Sequence, residues 1–365
     1  MIFFKSLFGK SESTENLNDY EVFWQWFLKH EKGFYKVVKK HEDIHDSFFE
    51  KIKPKLNLVK EGIWFLAGMC DEDTAELILT ADGDVKSIAF VEELVALAPV
   101  LKNWKITALK QASEISNNGI EMDGYKFNED KMSFYSLAHE NRPDEIDIVI
   151  THQDFNNENE QSITNGVYIA LDNYLGELNS LTTIDNLQII NTKDAALDLI
   201  PFKKLKSFLI WREKEFLERY DGVRHNSDND KYASLEATLN NGLPLLAVLN
   251  TTLLNWDNKA SHQWILKIEI PYLGENNNGL PDDDAYHYLN EIEEDIMLKL
   301  IESEGYLNVG RQTADSVREI YIACVDFRKP SKVLYEMQKE YADDYKIDFF
   351  LFKDKYWVSL DRFRH

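Results

Sequence analysis

Three groups of residues carry side chains at spacings that chemistry uses. His41, Glu42 and His45 match the H-E-x-x-H pattern of metal-dependent hydrolases. On a helix the two imidazoles stand one turn apart, where they can share a zinc ion while the glutamate polarises a water. The neighbours argue against that use. Lys39 and Lys40 precede the motif, Asp43 lies inside it, Asp46 follows, and no third ligand stands out downstream. A solvated helix face explains the letters better, so the motif is disfavoured as a metal site. The second group is Asp283, His287, Glu291 and Glu294, on one face of an acidic helix. Such a face suits a divalent ion or basic side chains of a partner; the plain alternative is the wet side of an amphipathic helix. The third group, Arg311, Thr313 and Arg318, falls on a hairpin and has donors for an anion, with turn and strand-edge roles as the alternative. No phosphate-binding glycine loop, dinucleotide fingerprint or nucleophile elbow is present. No catalytic residue and no cofactor is therefore assigned.

Composition narrows the classes further. With 365 residues, 44% of them hydrophobic, the chain is globular and long enough for two domains. Its formal net charge of −23 repels nucleic-acid phosphates and anionic lipid. It would attract a basic protein such as a nuclease or toxin; solubility alone is the competing explanation. Cys70 and Cys324 follow apolar runs and read as small hydrophobes without disulfide or metal spacing, which places the protein in a reducing compartment, the cytoplasm. The apolar run near Lys5 is too short to span a membrane. Trp24, Trp26, Trp64, Trp104, Trp264 and Trp357 lie in apolar elements without interleaved basic residues, so they read as core rather than as a base-stacking platform.

The elements that must position these residues follow from periodicity. Residues 1–18 read as an N-terminal tail, polar over 11–18. Helical spacing starts at 19 and continues past Phe48, fitting one long helix or two shorter ones divided near Gly33, with an end at Pro54. Strands at 63–69, 75–80 and 104–109 surround a helix at 85–97. Strands at 133–137, 146–151 and 187–190 surround a helix at 162–178, so 19–220 reads as an α+β domain of two ββαβ-like units, with one shared sheet or two as the open alternatives. Residues 221–231 are nearly devoid of apolar side chains and read as a linker. In 232–365, strand-like runs at 243–254 and 263–270 precede an acidic helix with Ala285, Leu289, Ile292, Ile296 and Leu300 on one stripe. Strands at 306–311 and 317–325, a helix near Pro330, a strand at 347–352 and a short hairpin at 356–360 complete a β-α-β-β-α-β order, which is ferredoxin-like.

The C-terminal pieces carry a resemblance. They are Gly279-Leu280-Pro281, the I-E-E-D from Ile292, the V-G-R-Q-T from Val309, the R-E-I-Y from Arg318 and the D-K-Y-W from Asp354. In this order they resemble the bacterial family called domain of unknown function 695, over about residues 232–362. The resemblance implies a module found beside, or fused to, one similar to the protein inhibitor of ribonuclease E, and it supplies no catalytic residue. The leading expectation is a non-catalytic, protein-binding or regulatory module. A metal-dependent hydrolase using His41 to His45 and a small-ligand sensor with a pocket between domains are the alternatives. The oligomeric state is left open.

Overall fold

The computed structural model describes residues 18–114 and 119–364, so the tail expected at 1–18 lies outside it but for Asn18. The fold is α+β. Two compact units divide the chain: residues up to Leu79 with 93–107, and 80–92 with everything from Ala108 on.

In the first unit, helix α1 (Asp19–Lys40) opens with a reciprocal cap. The Asn18 side chain accepts from the Glu21 N–H at 2.9 Å, and the Glu21 carboxylate accepts from the Asn18 N–H at 3.1 Å. Phe23, Trp24, Phe27, Phe34 and Val38 form its buried stripe. Of the two options, one long helix or two shorter ones, α1 runs unbroken through Gly33, because the flanking stripe residues hold both halves in one core. It ends at His41, whose φ of 58° is left-handed. A π-helical turn (His45–Phe49) leads into α2 (Glu50–Val59), which contains Pro54 rather than ending there. Strands β1 (Trp64–Met69), β2 (Ala75–Thr80) and β3 (Trp104–Ala108) form a sheet in that order; α3 (Val85–Ala96), which follows β2 in the chain, belongs mostly to the second unit. Phe48 stacks on Trp104 with centroids 6.1 Å apart and meets Phe34 edge-on at 5.0 Å.

The second unit holds two larger sheets. A hairpin of β4 (Ile120–Met122) and β5 (Tyr125–Phe127) precedes β6 (Met132–Leu137) and β7 (Asp147–His152). Helices α4 (Glu160–Leu175) and α5 (Glu177–Thr182) then cross to β8 (Asn186–Asn191), parallel to β7; β9 (Ile200–Pro201) and α6 (Leu205–Tyr220) follow. The strand order is β8-β7-β6-β9. The helix expected at 162–178 breaks at Gly176, whose φ is 82°. The two ββαβ-like units do not share a sheet, since their strands fall in separate ones. Phe134, Ile148 and Ile150 pack with Ile163, Val167 and Leu171 of α4 and Leu205 and Leu209 of α6.

The last sheet has six antiparallel strands in the order β10-β11-β13-β14-β12-β15. These are β10 (Tyr232–Thr238), β11 (Pro244–Asn250), β12 (Trp264–Pro271), β13 (Tyr306–Ala314), β14 (Val317–Cys324) and β15 (Asp348–Lys353). The last four strands alternate with α8 (Asp283–Lys299) after β12 and α9 (Arg328–Glu340) after β14; α7 (Thr251–Leu254) ends the run expected to be all strand. The sheet is wider than the four strands expected by β10 and β11. Leu266, Ile268, Ile320 and Ile322 are fully buried on one face, and α8 buries Leu289, Ile292, Ile296 and the following Leu300, as the stripe predicts. The opposite face packs Ile265, Leu307, Tyr321 and Ala323 against Leu253, Leu254, Trp357, Leu360 and Phe363. Trp357 has a φ of 55° and opens a 3-10 turn (Val358–Phe363) in place of the expected hairpin.

Residues 221–231, expected as a linker, lie within the second unit. Ser227 N–H donates to Glu302 Oε1 at 3.0 Å, and Asn250 Nδ2 donates to Asp230 Oδ2 at 2.6 Å. No helix among the described residues is long and apolar enough to cross a membrane.

One glycine is demanded by the sheet. Gly310 sits at a bulge in β13 with φ 143°, and a Cβ there would meet the Val248 carbonyl oxygen at 2.4 Å. Gly310→Ala should therefore cost roughly 1–3 kcal/mol. Urea denaturation checks this; a midpoint equal to the parent's would show that the bulge tolerates a side chain.

Candidate functional site

The loop between β6 and β7, residues 138–146, gathers more polar chemistry than any motif the sequence offered. Its turns are closed by the Arg142 N–H to the His139 carbonyl and the Glu145 N–H to the Arg142 carbonyl, each 3.2 Å. Arg212 of α6 clamps it from outside, donating to the carbonyls of Pro143 (2.6 Å) and Glu145 (3.1 Å). Asp144 is its anchor. One carboxylate oxygen accepts from Arg219 at 2.6 Å, and the other accepts from the hydroxyls of Tyr220 and Tyr356, both at 2.7 Å. Burial and Asp144 together push the Tyr220 hydroxyl up to about 12.

Lys355 completes the anchor. It is 3% exposed, donates to the Asp144 carbonyl (2.8 Å) and Asp185 Oδ2 (2.7 Å), and lies over the Phe216 ring. Burial, reinforced by the neighbouring Lys353, lowers it to about 8 in spite of Asp185.

Beside this anchor, His139, Glu145 and Asp147 bring one ligand atom each within 4.8 Å of the others. His139 Nε2 and Asp147 Oδ2 are 2.7 Å apart, and Asn186 donates to Asp147 Oδ1 at 2.7 Å. Arg142 donates to Glu145 Oε1 at 3.1 Å, while the buried Oε2 has no hydrogen-bond partner among the described residues. Burial raises the Glu145 carboxyl, and Asp147 and Asp185 add to the rise against Arg142 and His139.

On the other side of Arg142 opens a pocket of about 550 Å³, lined by Asn141, Arg142, Trp256, Asp257, Lys259, Tyr356, Val358, Asp361 and Arg364. Arg142 and Arg364 have carboxylate partners in Glu145 and Asp361. Lys259 donates to the Trp256 carbonyl at 2.6 Å but has no carboxylate partner among the described residues. Burial, with Arg364 adding repulsion, lowers it to about 8 against the attraction of Asp257 and Asp361 in the same pocket. An anion is the complement such a group lacks, and the Trp256 and Tyr356 rings supply apolar surface for the body that carries it.

A second cleft, about 450 Å³, lies at the start of α8, lined by Leu273, Asp282, Asp284, Tyr288, Asp344 and Tyr345 among others. Asp282 also caps the helix, accepting from the Ala285 N–H at 2.9 Å. Tyr288 and Tyr345 stand 6.0 Å apart.

The residues singled out by spacing fare differently. Asp283, His287, Glu291 and Glu294 are all exposed on α8, as the stripe requires. Between them Glu293 turns inward, accepting from Asn308 (2.9 Å) and Arg311 (2.8 Å). That occupies Arg311. Arg318, 1% exposed, donates to Asn290 (2.7 Å) and Thr313 (3.2 Å) and stacks on Tyr286, so the hairpin group is structural rather than an anion site. His41 and His45 are not on one helix: the first ends α1 and the second pairs with Asp46 at 2.9 Å in the π turn. The helical geometry that H-E-x-x-H needs is absent. Cys324 is buried, its thiol pushed well up by burial, but Cys70 is exposed at the end of β1. Trp64 is half exposed, unlike Trp24, Trp104, Trp264 and Trp357. Spacing gave no sign of His139, Glu145, Asp147 or Lys259. A histidine and two carboxylates within nine residues were the available signal, and the loop's irregular backbone hid it.

Residues 234–363 match the Family of unknown function (DUF695), close to the span expected. No curated protein and no solved structure matches the chain. Trp256, Lys259 and Tyr356 fall inside the matched span and the loop 138–146 outside it, so the pocket is built from both.

Proposed function

We propose that this protein binds a small anionic ligand, a carboxylate or phosphate on a planar or apolar body, in the pocket at Lys259, and acts as a ligand-responsive rather than a catalytic module. The observation that carries the reading is a half-buried lysine without a carboxylate partner, in a pocket that also holds Arg142 and Arg364. The volume is that of sites for small metabolites. Asp257 and Asp361 line the same pocket and attract Lys259 without an ion pair to it, so a ligand's anionic group can still take that place.

Titration calorimetry with citrate, inorganic phosphate and a nucleoside monophosphate tests it. At least one should bind saturably, and Lys259→Met should weaken that binding about 10–100-fold, the worth of a charge-assisted hydrogen bond. Affinity should fall as pH rises through about 8, where Lys259 loses its proton. No saturable binding, or equal binding by the variant, sinks the reading.

The acidic cleft favours a second reading, docking of a basic protein, with an arginine or lysine seated between Tyr288, Tyr345 and the aspartates. Changing Asp283, Glu291 and Glu294 together to lysine should slow association with such a partner and leave the melting temperature within a degree or two, because all three are exposed. Stopped-flow association at two salt concentrations measures this. Unchanged rates would assign the charge to solubility.

A further inference from the structure

The geometry points to a second site in the same loop: His139, Glu145 and Asp147 hold a divalent transition-metal ion of the zinc class. This rests on the three side chains alone and stands whether or not an anion occupies the neighbouring pocket. One imidazole and two carboxylates balance a doubly charged cation and form a donor set that zinc-class ions favour over magnesium or calcium. The ligand atoms lie within 4.8 Å of one another. Tetrahedral ligands of one zinc ion stand roughly 3.5 Å apart, so small side-chain rotations close the set.

The independent sign is Glu145. It is 6% exposed and its Oε2 is buried without a partner, although two further carboxylates, Asp147 and Asp185, lie close by. A buried carboxylate oxygen facing like charge without a donor is costly, and a cation removes the cost. The remaining atoms are already oriented as a metal site's supports would be. Asn186 fixes Asp147 through Oδ1, and Arg142 fixes Glu145 through Oε1, leaving one oxygen of each for the ion. Without metal, the hydrogen bond between His139 Nε2 and Asp147 Oδ2 links two of the three ligands at 2.7 Å.

The test uses the full chain, stripped with chelator and titrated with Co²⁺, followed by visible absorption and calorimetry. One Co²⁺ per chain should bind, with ligand-field bands of a four- or five-coordinate ion, and Zn²⁺ should displace it. His139→Gln and Asp147→Asn should each weaken binding at least about 10-fold, as should Glu145→Gln, which keeps the size of a buried side chain. Circular dichroism and a melting curve identify a variant that fails to fold, and the half-exposed His139 is the safest of the three. The double variant His41→Ala, His45→Ala should bind as the parent does. Absence of a saturable site overturns the proposal, as does binding unchanged by His139→Gln in a folded protein, or loss of binding in the His41, His45 double variant.

Discussion

Asp144→Ala should lower stability by about 3–5 kcal/mol, the usual cost of breaking a buried charged hub. The carboxylate is 8% exposed and receives Arg219, Tyr220 and Tyr356 at 2.6–2.7 Å. Removal leaves two tyrosine hydroxyls without their acceptor. Arg219, whose side chain is more than half exposed, can turn to water, so it adds little. Lys355 is untouched directly, because it binds the backbone carbonyl of residue 144 and the Asp185 side chain. Asp144→Asn keeps one acceptor and should cost about half as much. Urea denaturation near pH 7 reads both. A loss under about 1 kcal/mol for the alanine variant would mean that the loop 138–146 is held by Arg212 and Lys355 alone. The same experiment bears on function, since a loop released from its anchor carries His139, Arg142 and Glu145 with it.

What the sequence disclosed and what it hid separate along physical lines. The stripe Leu289, Ile292, Ile296 and Leu300 was legible because a helix with one wet face repeats every 3.6 residues, and all four are fully buried. The hairpin was legible in outline, but β13 runs to Ala314 and the turn is only Asp315 and Ser316, both with positive φ. Gln312 and Thr313 look like loop residues, yet both are strand residues with partners, Glu319 for the first and Arg318 for the second. Strand β10 escaped notice because Tyr232 and Glu236 face water on an edge strand. Residues 221–231 looked like a joint by composition, whereas bonds from Ser227 to Glu302 and from Asn250 to Asp230 tie them down. The candidate site was hidden for the same reason. Lysines 259 and 355 read as surface letters in any local window. Their burial is made by partners far away in the chain, such as Asp144, 211 positions from Lys355.

Acid should destabilise the protein well before its carboxylates titrate, and His262 should be the largest single cause. The residue is fully buried, and burial, helped by Arg224 and His225, lowers it to about 3. Its Nδ1 lies 2.9 Å from the Ser261 hydroxyl, which also donates to the Asn258 carbonyl at 2.7 Å, so Nδ1 carries the proton. Nε2 is then a buried lone pair with no donor, and a second proton there would have no acceptor. In the unfolded chain the same imidazole titrates near 6.5. Between pH 6.5 and about 3 the unfolded state therefore binds a proton that the folded state refuses. The stabilising contribution is complete above pH 6.5 and is lost as pH falls, by about 1.4 kcal/mol for each unit. At pH 4.5 this amounts to roughly 3 kcal/mol, a large share of a typical margin. His152 acts in the same direction. It is fully buried, with Nε2 3.0 Å from the Lys126 carbonyl and Nδ1 accepting the Asp154 N–H at 3.2 Å, so a proton on Nδ1 would break the second bond. Glu145 and Asp172, both raised by burial, act in opposition, because the folded state takes up their protons first. A single substitution separates these contributions. His262→Asn keeps a donor near Ser261 and cannot titrate, so the variant's stability should lack this loss as pH falls. The parent's stability, measured by urea denaturation, should fall toward the variant's between pH 6.5 and 4.5 and approach or cross it there. Parallel curves over that range would show that His262 accepts its proton without unfolding.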